Sequence, residues 1–244
     1  MVIVRRDDRH LQLGLEPPHR LVMRDEPEIR ALLEALQRGR PLPRASIGTT
    51  RALAQLADAD LLDREPAADA DVTVRIAGPR SLAASASSTL RAAGIAMRDR
   101  ADVTLLLAYG AVARHLTDPL VRDGLPHLVA VVGPWGWDVG PFVVPGETAC
   151  LRCVDAVHAE TDPRHPLVLD QLARAATPVV SDPAVQALAL GWVARDLRAY
   201  AQGYRPTTWS TTVRIAQTPD EEPLGERRWL RHPCCGCAWD ALTG

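Results

Sequence analysis

The sequence predicts an α/β protein in which a Rossmann-like sheet follows a small winged-helix-like α+β unit. Two observations predict this architecture. Beyond residue 72, short apolar segments alternate with amphipathic helical segments, which is the pattern of a parallel sheet covered by helices. Before residue 66, two short strand segments precede two short helical segments. We therefore expect two domains, residues 1–66 and 72–244, joined by an Ala- and Asp-rich linker over 65–71.

The first domain shows the signals of strands followed by capped helices. Residues 11–15 alternate apolar and polar side chains, and a Pro-Pro turn separates them from the next apolar segment. Asp25 can cap a helix that has Pro27 in its first turn. Strands are expected over 11–15 and 20–23, and helices from Asp25 to Gly39 and from Thr49 or Thr50 onward.

The second domain begins with buried-type strands separated by helices. Its apolar segments are too short to cross a membrane, which takes about 20 residues. Strands are expected over 72–77, 95–97, 102–108, 128–132, 210–216 and 226–231, and helices over 81–93, 111–122 and from Asp182 onward. The glycine-rich residues 133–146 are expected to form a loop.

Composition excludes several classes of function. All 28 basic residues of the 244-residue chain are arginine, and 30 acidic residues bring the net charge to -2. Such a balance gives no global attraction to nucleic acid or to an anionic membrane. The absence of lysine removes the P-loop cation, the Schiff-base amine and the lysine general base. The first residues show no apolar signal segment, so we expect a cytoplasmic protein.

The cysteines predict a structural zinc site. All five lie in two tight clusters, which favours a shared metal over disulfides in a chain without a secretion signal. The candidate ligands are Cys150, Cys153, Cys234, Cys235 and Cys237, with His232 as a less favoured substitute. The second pair is either Cys234 with Cys237 or Cys235 with Cys237. Four thiolates complete a tetrahedral site and leave no position for a catalytic water. A redox pair and unpaired thiols are the alternatives.

The sequence contains only part of a nucleotide-binding motif. Gly78 follows the first strand of the second domain, where a glycine-rich phosphate loop would lie, but it is the only glycine of that loop. Asp99 follows about 20 residues later, as an acid that binds a ribose would. A structural turn at Gly78 and a solvated loop at Asp99 are the simpler interpretations.

The sequence offers no catalytic residue. No serine or histidine lies in a G-x-S-x-G or H-E-x-x-H context. Asp138 is the one acid in the glycine-rich stretch after a strand, where α/β proteins often place their sites, although a turn role is favoured.

Two segments carry a resemblance to a known superfamily. Residues 140–155 read Gly-Pro-Phe-Val-Val-Pro-Gly-Glu-Thr-Ala-Cys-Leu-Arg-Cys-Val-Asp, and residues 232–237 read His-Pro-Cys-Cys-Gly-Cys. With these segments the chain resembles the ThiF-type superfamily of ubiquitin-activating and sulfur-carrier-adenylating enzymes, over roughly residues 8 to 240. It looks closest to the ThiF-like partner proteins of thiazole and oxazole peptide biosynthesis, which bind a precursor leader peptide.

The resemblance implies a function without catalysis. It implies that the first domain takes a leader peptide as an added strand. It also implies that the protein presents a ribosomal precursor peptide to a partner cyclodehydratase, and a homodimer is expected by analogy. Adenylating members use a glycine-rich loop, an acid, arginine and lysine. Because this chain keeps one loop glycine and no lysine, ATP is not expected as a cofactor.

Two other functions stay open at this point. A divergent adenylyltransferase would activate the C-terminal carboxylate of a peptide or carrier protein, with Asp99 on the ribose and an arginine in place of the lysine. A winged-helix DNA regulator is the third class. The helix over 50–59 carries only Arg51 as a cation, which is too little charge for phosphate contacts.

Overall fold

The computed structural model describes residues 2–59, 61–62, 72–175 and 177–237. The chain separates into two compact units, Met1–Ala68 and Asp69–Gly244. The linker expected over 65–71 lies outside the described residues. Within the part that is described, no helix has the length and apolar character needed to span a membrane.

The first unit is a three-stranded antiparallel sheet packed by two helices. Its elements are β1 (Ile3–Arg5), β2 (His10–Leu13), β3 (Leu21–Arg24), α1 (Pro27–Gln37) and α2 (Ile47–Asp58), with the strands in the order β1-β2-β3. Leu13 of the sheet and Leu32, Leu33 and Leu56 of the helices are almost fully buried together. The unit therefore has its own hydrophobic core.

The helix starts of this unit differ from the prediction. The residue that precedes α1 is Glu26, without a side-chain cap, because the Asp25 carboxylate accepts from Arg30 instead. Helix α2 begins at Ile47, where Ser46 and Thr49 form a capping box of reciprocal hydrogen bonds. Strand β1 was not predicted, since its three residues are mostly exposed and show no buried periodicity.

The second unit is a seven-stranded sheet with helices on both faces. Its elements are β4 (Thr73–Ala77), α3 (Arg80–Ala92), β5 (Ala96–Met97), β6 (Val103–Tyr109), α4 (Arg114–Arg122), β7 (His127–Gly133), β8 (Gly136–Val143), α5 (Leu151–Thr161), α6 (His165–Ala175), α7 (Pro183–Ala201), β9 (Thr211–Ala216) and β10 (Leu224–Arg228). The strand order is β10-β9-β8-β7-β6-β4-β5. Helices α3 and α7 pack on one face, and α4 and α5 pack on the other.

Only half of this sheet is parallel. Strands β4 to β7 pair in parallel as the sequence predicts, whereas β7 to β10 form an antiparallel meander. The loop expected over 133–146 is wrong, because most of it is β8, with Trp137 fully buried. Gly140 misled the prediction. A Cβ there would lie 2.1 Å from the carbonyl oxygen of Thr211, so glycine serves close strand packing rather than a loop.

A buried carboxylate fastens α7 to the segment before β9. Asp196 is fully buried and accepts hydrogen bonds from the backbone N–H and hydroxyl of Thr208 and from the hydroxyl of Thr207. Arg195 donates to the same carboxylate. A buried charge with this many donors is compensated, so it fixes the position of the loop that leads into β9.

A second buried polar group, His127, is incompletely satisfied. Its ring is fully buried at the start of β7, where Nδ1 donates to the carbonyl oxygen of Leu125 at 3.0 Å. The Nε2 atom has no hydrogen-bond partner among the described residues. Burial lowers the pKa of His127 below its usual value, so the native protein holds this ring neutral.

We predict that His127 makes the second unit less stable in acid. The unfolded chain binds a proton at this residue below about pH 6.5, whereas the native state resists it, so stability is lost as the pH falls. Urea unfolding followed by tryptophan fluorescence measures this, since all six tryptophans lie in the second unit. His127→Leu should lose less stability between pH 7 and pH 5 than the wild type. His115→Leu, at an exposed site, should lose as much as the wild type.

Candidate metal centre and sheet-face cavity

Four thiols converge beside the first turn of α5. The sulfur atoms of Cys150, Cys153, Cys235 and Cys237 all lie within 4.8 Å of one another. Cys153 and Cys237 approach to 3.3 Å, and Cys150 lies 3.4 Å from Cys237, 3.5 Å from Cys235 and 3.8 Å from Cys153. Three of the four residues are buried, and Cys237 is half-buried. The chain thus brings together side chains that are 85 positions apart.

Local structure explains how each pair reaches this point. Cys150 is the N-cap of α5 and Cys153 lies in its first turn, so both sulfur atoms project from one helix start. The second pair follows β10 in a tight turn, in which the Cys235 N–H donates to the carbonyl oxygen of His232. Trp229 packs against the cluster.

The donor set fits zinc. A tetrahedral zinc ion with Zn–S bonds of about 2.3 Å separates its sulfur ligands by about 3.8 Å. The four separations given above, 3.3 to 3.8 Å, are equal to this value or a few tenths of an ångström shorter, and all four sulfur atoms lie within 4.8 Å of one another. Four thiolates would hold the ion as a structural clip, because no coordination position is left for a substrate or water.

The thiols already share protons unequally. A hydrogen bond from Cys150 to Cys153 raises the pKa of the Cys150 thiol and lowers that of Cys153. Burial adds to the rise at Cys150. The cluster therefore favours one thiolate surrounded by sulfur and backbone donors, which is the species that binds a soft metal.

Cys234 and His232, the two other candidate ligands, lie outside this group. Cys234 is exposed. The Nδ1 atom of His232 accepts from the backbone N–H of Cys234, and its Nε2 atom lies 3.0 Å from a carboxylate oxygen of Glu160. Both ring nitrogens are thus engaged in shaping the turn. The choice between Cys234 and Cys235 that the sequence left open falls on Cys235 in this geometry.

The residues proposed for a nucleotide lie at the carboxyl edge of the parallel strands. Gly78 ends β4, and a Cβ there would lie 2.3 Å from the carbonyl oxygen of Leu107. Close packing between β4 and β6 therefore requires a glycine at this turn whether or not a nucleotide binds. Asp99 is exposed in a bend after β5, the strand next to β4.

A cavity of about 520 Å³ lies on the face of the sheet that α4 and α5 cover, and we call it the sheet-face cavity. Its lining residues come from β7 to β10, from the segment after β6 and from helices α4 to α6. They include Val129, Val131, Asp138, Gly140, Leu151, Val154, His158, Leu169, Thr212, Arg214, Gly225, Arg227 and Trp229. The cavity is therefore apolar towards the helices and charged along the antiparallel strands.

Asp138 belongs to this cavity and not to a loop. It lies on β8 between the buried Trp137 and Val139, so its side chain points to the opposite face of the sheet. The Nη1 atom of Arg214 lies 3.2 and 3.1 Å from its two carboxylate oxygens. Burial raises the pKa of Asp138, and Arg214 opposes the rise.

The sequence did not predict a second ion pair at this cavity. Arg114 of α4 donates to both carboxylate oxygens of Asp155 on α5, at 2.7 and 2.6 Å, and the pair is almost fully buried. It joins the two helices that cover the cavity. Periodicity gave no signal for it, because the partners are 41 residues apart.

Comparison with known proteins identifies the fold. No protein-family model and no curated protein matches the chain. Among solved structures, the heterocyclase TruD matches 99% of this chain and 42% of its own, with a TM-score of 0.68 at 16% identity. A heterocyclase in complex with substrate and cofactor gives 0.64 at 14% identity, over 97% of this chain and 38% of its own.

The microcin enzyme MccB matches over a greater share of its own length. MccB from E. coli gives a TM-score of 0.62 at 12% identity, over 97% of this chain and 94% of its own. The microcin C7 biosynthetic enzyme MccB in complex with N-formylated MccA gives 0.60 at 12% identity, over 97% of each chain. This chain thus spans about two fifths of the heterocyclases and nearly all of MccB. The likeness supports the ThiF-type resemblance at the level of the fold.

We predict that the four clustered thiols bind about one equivalent of zinc, and that Cys234 does not contribute. Cys235→Ser should lose most of the metal and lower the stability of the second unit, whereas Cys234→Ser should keep both. Elemental analysis of purified protein with reduced thiols measures this. Less than about half an equivalent in the wild type, or equal loss in both variants, would contradict the assignment.

Proposed function

We propose that this protein is a non-catalytic ThiF-like scaffold that binds a ribosomal precursor peptide through its leader and presents it to a partner cyclodehydratase. Two likenesses support the proposal: one to a heterocyclase solved with its substrate, the other to MccB solved with N-formylated MccA. We propose that it works in the cytoplasm as a homodimer.

The observation that carries the peptide-binding part is the outer edge of β3. No strand among the described residues pairs with that edge. The backbone hydrogen bond from Asp25 to Arg9, together with the register between β2 and β3, fixes which β3 residues point outward. Because inward and outward groups alternate along an antiparallel strand, Val22 directs its N–H and C=O to the open edge. Its side chain is also exposed.

An extended leader peptide would complete this sheet as a fourth strand. Backbone pairing supplies affinity with little dependence on sequence, and side-chain contacts supply selectivity. Helix α2 contacts β3, so a peptide at this edge would also lie near α2. The winged-helix-like reading of the first unit belongs to this proposal, with the sheet edge rather than a DNA-binding helix as its functional surface.

The absence of adenylation chemistry is the other part of the proposal. The phosphate loop has one glycine, and packing against Leu107 explains that glycine. Asp99 at the neighbouring strand end is the residue that favours the alternative, a divergent adenylyltransferase acting on a C-terminal carboxylate. We assign the zinc site a structural role in folding, whether the protein is a scaffold or an adenylyltransferase.

We predict that Val22→Pro weakens binding of the leader at least about tenfold, because proline removes the outward N–H of β3. Proline is tolerated on an edge strand where the missing N–H faces solvent, so the unit should still fold. The probe is a fluorescent peptide that carries the leader of a candidate ribosomal precursor, and its binding is measured by anisotropy. Arg5→Pro, which changes the outer edge of β1, is the matched control and should bind as the wild type does. Equal weakening by both would contradict the assignment to β3.

We predict no pyrophosphate exchange into ATP with the same precursor peptide present. The scaffold lacks the lysine and the loop glycines that position the phosphates. Exchange above the level of a boiled sample, abolished by Asp99→Ala, would establish the adenylyltransferase instead.

A further inference from the structure

We propose that the outer edge of β10 pairs with β10 of a second copy of this chain, in an antiparallel register centred on Arg227. The proposal assigns a surface to the homodimer, and in that respect it rests on the proposed function. It also goes beyond that function, because leader binding at β3 does not require β10. Its basis is an open strand edge, a row of exposed side chains that is complementary to itself, and two exposed leucines.

The outer edge of β10 carries backbone groups that no other described strand uses. Strand β10 lies at one end of the seven-stranded sheet and pairs only with β9 among the described strands. The backbone hydrogen bond from Trp229 to Ser210 shows that odd-numbered residues of β10 direct their N–H and C=O groups to β9. The even-numbered residues direct theirs outward, and these are Leu224, Glu226 and Arg228.

The same even-numbered residues place their side chains in one exposed row. Because side chains alternate along a strand, this row lies on the face opposite to Arg227. Leu224 is 41% exposed, and Leu230, which continues the row, is 83% exposed. Within the described part of the chain, neither Glu226 nor Arg228 forms an ion pair. The row reads Leu, Glu, Arg, Leu along the chain.

This row is complementary to itself when a second copy runs antiparallel. A two-fold axis at Arg227 sets Glu226 of each copy against Arg228 of the other. The same axis sets Leu224 against Leu230, so both exposed leucines gain an apolar neighbour. The members of each charged pair have outward backbone groups, so they also exchange backbone hydrogen bonds. Two open sheet edges are thereby replaced by one continuous sheet.

Neighbouring two-fold registers bring like charges together in this row. An axis at Glu226 sets its carboxylate against the same group of the second copy, and an axis at Arg228 does so for two guanidinium groups. The axis at Arg227 has one like pair, on the other face, which is Arg227 itself. In each chain this guanidinium lies 4.3 Å from the ring centroid of Trp229, two residues further along the chain. Two-fold symmetry therefore moves the two groups away from the axis in opposite directions.

Charge reversal tests the register in the full-length protein. Sedimentation velocity between about 1 and 100 µM should show a wild-type dimer. Glu226→Arg and Arg228→Glu each convert the unlike pairs into like ones, and each should weaken dimerisation at least about tenfold. The double variant restores unlike pairs and should dimerise as the wild type does. Arg100→Glu, at an exposed site after β5 at the other end of the sheet, is the matched control and should change nothing.

A disulfide bond tests the position of the axis. Directly opposite residues in a non-hydrogen-bonded pair have Cα atoms about 4.5 Å apart, a distance that a disulfide can bridge. In a Cys234→Ser background, which lacks the exposed thiol, Arg227→Cys should form a covalent dimer under mild oxidation. Leu224→Cys should not, because it would lie about 20 Å from its own counterpart.

The possible results separate the β10 surface from the homodimer. A wild-type monomer throughout this concentration range would overturn both. A dimer that neither charge reversal weakens, or equal cross-linking at positions 224 and 227, would overturn the β10 surface alone. A double variant that unfolds at the same urea concentration as the wild type but stays monomeric would overturn the register. Leader binding at β3 is measured separately by anisotropy, so none of these outcomes decides it.

Discussion

The second unit depends on the meeting of four thiols at the start of α5. This cluster brings the start of α5 together with the turn that follows β10, beside the antiparallel half of the sheet. The two segments that carry these cysteines are far apart in sequence, and Trp229 packs against the place where they meet.

The sequence predicted the elements whose signals are local. The apolar strands β4, β6 and β7 and the Asp182 cap of α7 could be read from periodicity and capping chemistry. Strand β8 could not, because its glycines resemble those of a loop until the neighbouring backbone is known. Helix α6 was not predicted either, and none of its residues is fully buried.

The candidate sites also differ in whether their sequence signals are local. Cysteine spacing is a strong local signal, and it predicted which thiols cluster, apart from the choice within Cys234–Cys235. The cavity depends on Asp138, Arg214 and Arg227, which only strand pairing brings together. Charge pairs between distant segments carry no periodic signature in the sequence.

The close contact between Gly78 and Leu107 affects how experiments on this fold should be interpreted. Any side chain at position 78 would push against the backbone of β6, so a variant there would lose function by disturbing the pairing of β4 with β6. Such a loss would look like the loss of a phosphate loop, although no ligand need be involved. Asp99 is exposed, so a variant there reports on nucleotide binding without disturbing the core of the sheet.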